Sequence, residues 1–319
     1  MRKFPAALAV LSLTAVALVG CASSNDPAAS CPRVTDAGSS TMDLISVTGS
    51  ADSAPKVDVD TPLHAEKTQF ADVIAGTGSV PITSDAQMIV LDVALVSATT
   101  GKTIVTTAYD GDQSTVYPVS QWVQSFPGFE DALHCATAGT RTAVAIAPGG
   151  IPEASLSSLG MSSTDSLVAV LDVRKVYLAA ANGRSVYNGG FGMPAVVRAP
   201  GGRPGVIVPD SSAPKDLRIQ LLKRGDGEKV SADRPVLLQY TIVNWSDKSV
   251  ASTTWDSQAE FVTLSTKSKG FQKAVEGQTV GSQVLAVIPP ADGESGAKDT
   301  QIAVIDILGI GPDTSTSTQ

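Results

Sequence analysis

Ser125-Phe126-Pro127-Gly128-Phe129-Glu130-Asp131-Ala132-Leu133, running on through Gly139-Thr140-Arg141 to Ala147-Pro148, decides the organisation of this chain because it occurs twice. The second copy reads Lys269-Gly270-Phe271-Gln272-Lys273-Ala274-Val275, then Gly281-Ser282-Gln283, then Pro289-Pro290, with no gap after the first glycine. In each copy an aromatic and two apolar residues (Phe129, Ala132, Leu133 and Phe271, Ala274, Val275) fall at i, i+3 and i+4, which predicts a short helix with one apolar face. The apolar runs that follow, Ala143 to Ala147 and Val284 to Ile288, predict strands.

Outward from this stretch, further anchors recur in the same order. Gly76-Thr77-Gly78 matches Gly225-Asp226-Gly227, Thr107-Ala108-Tyr109-Asp110 matches Thr253-Thr254-Trp255-Asp256, and Val170-Leu171-Asp172-Val173 matches Val304-Ile305-Asp306-Ile307. Val90, Val93, Leu95 and Val236, Leu238, Tyr240, Ile242 give strand periodicity. The chain is therefore read as two copies of one α+β domain, residues 43–181 and 215–310. Between them, residues 182–214 are dense in glycine and proline and read as a linker arm, with Val206 to Pro209 able to pair as an edge strand. Residues 311–319 read as a disordered tail.

The beginning of the chain has a different logic. Arg2 and Lys3, the apolar and small run from Ala6 to Val19, and Gly20-Cys21 give the layout of a secretory signal over residues 1–20. The run is too short to span a bilayer comfortably. Leu18-Val19-Gly20-Cys21 resembles a bacterial lipobox, in which the cysteine thiol takes a diacylglycerol group. At about 0.8 kcal/mol per buried methylene, two or three acyl chains make a lasting anchor. Residues 21–42 then read as a flexible tether, and the mature protein is placed on the extracytoplasmic face of the cell membrane.

Without residues 1–20 the chain holds 21 basic against 31 acidic residues, a net charge of -10, which argues against nucleic acid or anionic lipid as a partner. No P-loop, His-Glu-x-x-His helix, Cys-x-x-Cys pair or nucleophile elbow occurs. With only His64 and His134, histidine-based catalysis or metal binding has little material, and no cofactor or metal is expected. Once Cys21 is acylated, Cys31 and Cys135 remain, and an even pair in an exported protein reads as a disulfide; the alternative is two inert small residues.

Taken in order, the repeated features resemble the FKBP-type peptidyl-prolyl cis-trans isomerase family, in its two-domain actinobacterial lipoprotein form. These are a Gly-x-Gly turn, a strand ending in Tyr-Thr, an aromatic-Asp pair, a Gly-aromatic helix start, an apolar strand closing in Pro-Pro, and a final apolar-acidic strand. The resemblance implies a twisted antiparallel sheet wrapped on one short helix in each domain. It also implies a pocket between the two that accelerates Xaa-Pro rotation in exported polypeptides. The positions matching that pocket in the second domain are Tyr240, Trp255, Asp256, Phe261 and Phe271, with Phe271 as the floor; the bland reading is that the aromatics are core. The weaker set in the first domain is Tyr109, Asp110, Phe126 and Phe129, with Ala94 or Asp92 where the strand tyrosine belongs. Thr266-Lys267-Ser268-Lys269 replaces the apolar pair before the helix, neither the loop 149–166 nor the loop 291–300 carries a tyrosine, and Ala169 and Ala303 stand in place of phenylalanine. The second domain is expected to be the catalyst. The alternative is a catalytically silent pair of FKBP-like domains that holds polypeptide or assists envelope assembly.

Overall fold

The computed structural model describes residues 31–312. The signal segment 1–20, the lipidation position Cys21, the tether up to residue 30 and the tail from residue 313 lie outside the described residues. Among those described, no helix is long and apolar enough to cross a membrane.

The first domain opens with a hairpin, β1 (Ile45–Thr48) and β2 (Lys56–Val59). Its main sheet is built from β3 (Gln69–Ile74), β4 (Met88–Ser97), β5 (Thr103–Thr106), β6 (Tyr117–Pro118), β7 (Arg141–Ile146) and β8 (Leu167–Val176). The spatial order is β3-β7-β8-β4-β5, with β6 also pairing β4, and every pairing is antiparallel. Three short helices lie on one side: α1 (Val119–Ser125), α2 (Glu130–Leu133) and α3 (Glu153–Leu156).

The second domain repeats the plan. A two-residue strand, β9 (Arg184–Ser185), precedes a hairpin of β10 (Ala195–Arg198) and β11 (Pro204–Ile207). The sheet follows as β12 (Arg218–Arg224), β13 (Val236–Asn244), β14 (Val250–Thr253), β15 (Glu260–Val262), β16 (Gln283–Ile288) and β17 (Gln301–Ile310), with α4 (Lys269–Val275) before β16. Its order, β14-β13-β17-β16-β12-β9 with β15 on β13, matches that of the first domain strand for strand, β9 being the addition.

The central strands show why each unit needs two covers. All six residues of β7 and all six of β16 are buried, so neither strand has a wet face. A continuous apolar run buries both faces, whereas alternation buries one. One face packs on the helix: Phe129, Leu133, Val144, Ile146, Leu167 and Leu171 in the first domain, Phe271, Val275, Val284, Ile288 and Ile305 in the second. The other lies under the hairpin. Val47, Val57 and Val59 cover Ala143, Ala145 and Val168, and Val196, Val206 and Val208 cover Leu285, Val287 and Val304.

Three expected boundaries change accordingly. Residues 182–214, read as a linker arm, form an integral layer of the second domain, and Pro204 to Ile207 pairs within its own hairpin rather than at the sheet edge. Residues 31–42, read as tether, are held to the first domain. Arg33 forms a two-pronged bond to Asp72 at 2.7 and 2.9 Å and donates to the carbonyls of Ala132 and His134, Asp36 N–H donates to Phe70 O, and Met42 is buried. Cys31 and Cys135 are disulfide-bonded, with Cα atoms 5.5 Å apart. At the tail, Gly311 N–H donates to Pro235 O at 2.7 Å.

The domains touch through an apolar seam of Met88, Val90 and Tyr177 against Leu237, Ala259 and Leu308. Leu178 N–H donates to Leu308 O and Lys175 Nζ to Ile310 O. Gly309 is required there: a Cβ at this position would lie 2.4 Å from the Tyr177 ring.

Candidate functional site

Strand register decides which of the pocket-matching residues share a face, because successive side chains of a strand point to opposite sides. On β13 the even positions Val236, Leu238 and Tyr240 face α4. Tyr240 and Phe271 meet edge to face, ring centres 5.6 Å apart. Tyr240 Oη donates to Glu260 Oε1 at 2.5 Å, and Lys267 Nζ lies 3.4 Å from the same oxygen, 5.5 Å above the Tyr240 ring and 5.9 Å above Phe271. Burial, reinforced by the Glu260 carboxylate, pushes the Tyr240 phenol up to about 12. Tyr240 and Phe271 are only 6% and 3% exposed, so the space between helix and sheet is filled by the chain's own side chains.

The other three residues expected in that pocket lie elsewhere. Glu260 pairs with Leu238 and Phe261 with Leu237, so Phe261 is on the opposite face, edge-on to Tyr177 at 5.6 Å in the interdomain seam. Trp255 packs beneath the β10–β11 turn, where a Cβ on Gly202 would sit 3.2 Å from its ring. Asp256 makes an exposed 2.5 Å ion pair with Arg203. The five positions are thus divided between two faces of one sheet, and only Tyr240 and Phe271 meet.

The first domain is divided in the same way. Tyr109 has a left-handed backbone (φ 52°) and donates to Asp172 Oδ2 at 2.9 Å on the hairpin face. Arg141 Nε donates to Asp172 Oδ1 at 2.7 Å, and its other nitrogens reach the carbonyls of Gly49 and Ser53 in the β1–β2 turn. Burial and the Asp172 charge raise the Tyr109 phenol far above its usual range. Asp110 is exposed.

The two domains also correspond with a one-residue slip from the sequence match. Val93 N–H donates to Thr107 Oγ1 and Thr107 N–H to Val93 O, and Tyr240 and Thr254 exchange the same two bonds. Thr107 is therefore the counterpart of Thr254, not Thr253, and Tyr109 that of Asp256. Val93, not Ala94 or Asp92, occupies the place of Tyr240.

Phe126 and Phe129 do come together on the helix side, stacked with ring centres 4.9 Å apart and planes 21° from parallel. Phe129 is fully buried, whereas Phe126 is half-buried, and around it Trp122 and Val123 of α1 and Leu156, Leu159 and Met161 of the 149–166 loop pack half-buried on the same core. This apolar rim, absent from the sequence assignment except for Phe126, has no counterpart in the second domain. There Ser268 stands opposite Phe126, and Leu217, Leu221, Ile242 and Val280 are the half-buried apolar residues on the corresponding core. The apolar character of α1 and of Leu156, Leu159 and Met161 is the signal that could have found it.

Cys31, His134 and Cys135 also converge, their ligand atoms within 4.8 Å of one another, but the two sulfurs are bonded to each other and leave no thiolate for a metal.

No family model matches the sequence, and no curated protein matches it. The solved structures it is similar to are FKBP-type peptidyl-prolyl isomerases, multi-domain forms among them. The three FKBP domains of wheat FKBP73 align over 76% of this chain and 94% of their own, at 14% identity and a TM-score of 0.31. FkpA from Escherichia coli aligns over 37% and 52%, at 17% identity and 0.28. A putative peptidyl-prolyl cis-trans isomerase FKBP12 from Mycobacterium tuberculosis aligns over 31% and 86%, at 27% identity and 0.26.

Proposed function

We propose that this chain is a membrane-anchored, FKBP-like prolyl isomerase acting on exported polypeptides, held through a lipidated Cys21, with its working groove in the first domain. The observation that carries the reading is the half-buried rim of Trp122, Phe126, Leu156, Leu159 and Met161 around the buried Phe129. Rotation about an Xaa-Pro bond faces a barrier of about 18–20 kcal/mol and takes tens to hundreds of seconds unaided. Water favours the dipolar planar amide, so a dry apolar groove that accepts the twisted form better than either planar one lowers the barrier. That chemistry asks for no proton donor, nucleophile or metal.

A specific observation favours a second reading, a silent polypeptide-binding pair. Tyr240 is committed to Glu260, and neither the 149–166 nor the 291–300 loop supplies a tyrosine to a substrate carbonyl.

Magnetization-transfer NMR of an Xaa-Pro peptide with the mature chain separates them. The expected result is acceleration that Phe126→Ala abolishes. Phe271→Ala leaves it intact while costing about 3–5 kcal/mol of stability, as truncation of a buried phenylalanine does. Loss in Phe271→Ala alone would return the site to the second domain, and no acceleration by the folded chain would leave the binding reading.

A further inference from the structure

We infer that the cleft between the two domains is a second polypeptide-binding site, in which the Gln239 side-chain amide pairs with a peptide group of an extended client segment. The cleft encloses about 570 Å³, within the range of ligand sites. Its walls are Thr83, Ser84, Ala86 and Met88, residues 178–180, the hairpin turn 200–202, Trp255 and Leu308. It goes beyond the groove reading and shares with it only the class of ligand.

Gln239 points to that class. It is only 7% exposed, its one side-chain bond is a long one from Nε2 to Thr254 O at 3.4 Å, and beside it the buried Nε1 of Trp255 has no hydrogen-bond partner among the described residues. Buried side-chain polar atoms are nearly always satisfied. A primary amide so weakly engaged, lining a cleft, is the complement of a peptide group, which like it offers a donor and an acceptor. The rest of the lining fits a backbone segment with small or apolar side chains. Met88, Ala259 and Leu308 give an apolar floor, Trp255 a flat wall, and Lys223 a cation. No carboxylate lines the cleft, although the chain carries 31 acidic residues.

Hydrogen–deuterium exchange of the mature chain, with and without reduced carboxyamidomethylated α-lactalbumin as the permanently unfolded probe, tests the inference. Probe-dependent protection is expected at residues 83–88, 178–180 and 255–259, separate from any at the first-domain groove (119–126 and 153–161). Gln239→Leu should weaken the affinity read at the cleft about tenfold, the size of one well-formed hydrogen-bonded pair, without lowering the melting temperature. Ala86→Trp fills the cleft from its exposed rim and should remove the protection outright. Absence of probe-dependent protection at the cleft overturns the inference whatever happens at the groove. Protection that survives both variants unchanged overturns it equally.

Discussion

The hairpin faces of the two domains solve one problem with different chemistry. In the first, the acidic residue of the last strand, Asp172, meets a fully buried guanidinium, Arg141, which also holds the hairpin turn through two backbone carbonyls. In the second, the equivalent Asp306 accepts from the Gln283 amide at 2.5 Å and from Ala181 N–H at 2.8 Å, and the hairpin's Arg198 reaches only the Gln283 oxygen. Charge neutralises charge in one place and dipoles solvate charge in the other. Two copies of one domain can thus keep a buried carboxylate as the joint between sheet and hairpin while changing its counterpart, provided every lone pair finds a donor.

The comparison breaks most sharply at Arg141. Arg141→Ala leaves Asp172 buried with its charge uncompensated, and a loss of about 3–5 kcal/mol is expected in urea unfolding. Gln283→Ala removes a neutral partner and should cost less, about 1–3 kcal/mol. Equal losses would mean that the two joints are energetically alike.

The disulfide comes next. Cys31→Ser/Cys135→Ser opens a loop with a sequence separation of 104 and should cost the first domain about 2–4 kcal/mol, below the ~4.7 kcal/mol ceiling of the chain-entropy estimate. Cys135 sits at φ 60°, and its counterpart in the second copy is Gly277 at φ 79°. Cys135→Gly therefore offsets part of the loss, and a variant no better than the serine one would deny the backbone any share.

A pH titration sharpens the contrast more gently. Burial raises the Asp306 carboxyl above its ordinary value. The native state then binds more protons than the unfolded one between the ordinary and the raised pKa, so stability falls as pH rises through that window, by at most about 1.4 kcal/mol per pH unit. Asp306→Asn should flatten that slope, and an unchanged slope would assign it to other groups. The smallest effect belongs to Asp256. Its ion pair with Arg203 is exposed, and Asp256→Asn should change stability by less than about 0.5 kcal/mol and leave Xaa-Pro exchange untouched.

The repeat, the strands and the α+β class were legible because they rest on periodicity, which survives divergence. Phe271 and Phe129 were legible as aromatics on the sheet-facing side of a short helix for the same reason. The division of Tyr240 from Trp255 was not, since spacing along the chain does not tell which side of a sheet a loop residue joins, and neither was the slip at Thr107, since one residue of register moves a side chain to the other face without changing composition. The hairpin covers were half legible. Continuous apolar runs such as Val284 to Ile288 ask for a second cover, but the cover in the second domain comes from a segment whose glycines and prolines read as linker. Pro204 tolerates its place because β10–β11 is a two-stranded hairpin, where a strand has only one partner.

On the proposed anchoring through Cys21, the disulfide would set a mechanical length. Cys31 is fastened to the C-terminal end of α2, so an anchor at Cys21 would be ten residue steps from the folded body, a reach of at most about 35 Å at full extension. Any pull from such an anchor would enter the protein there, through a covalent sulfur–sulfur link rather than through the hydrogen bonds of Arg33. The first domain would take the strain, and the second, joined to it at the seam of Tyr177, would lie downstream of the load.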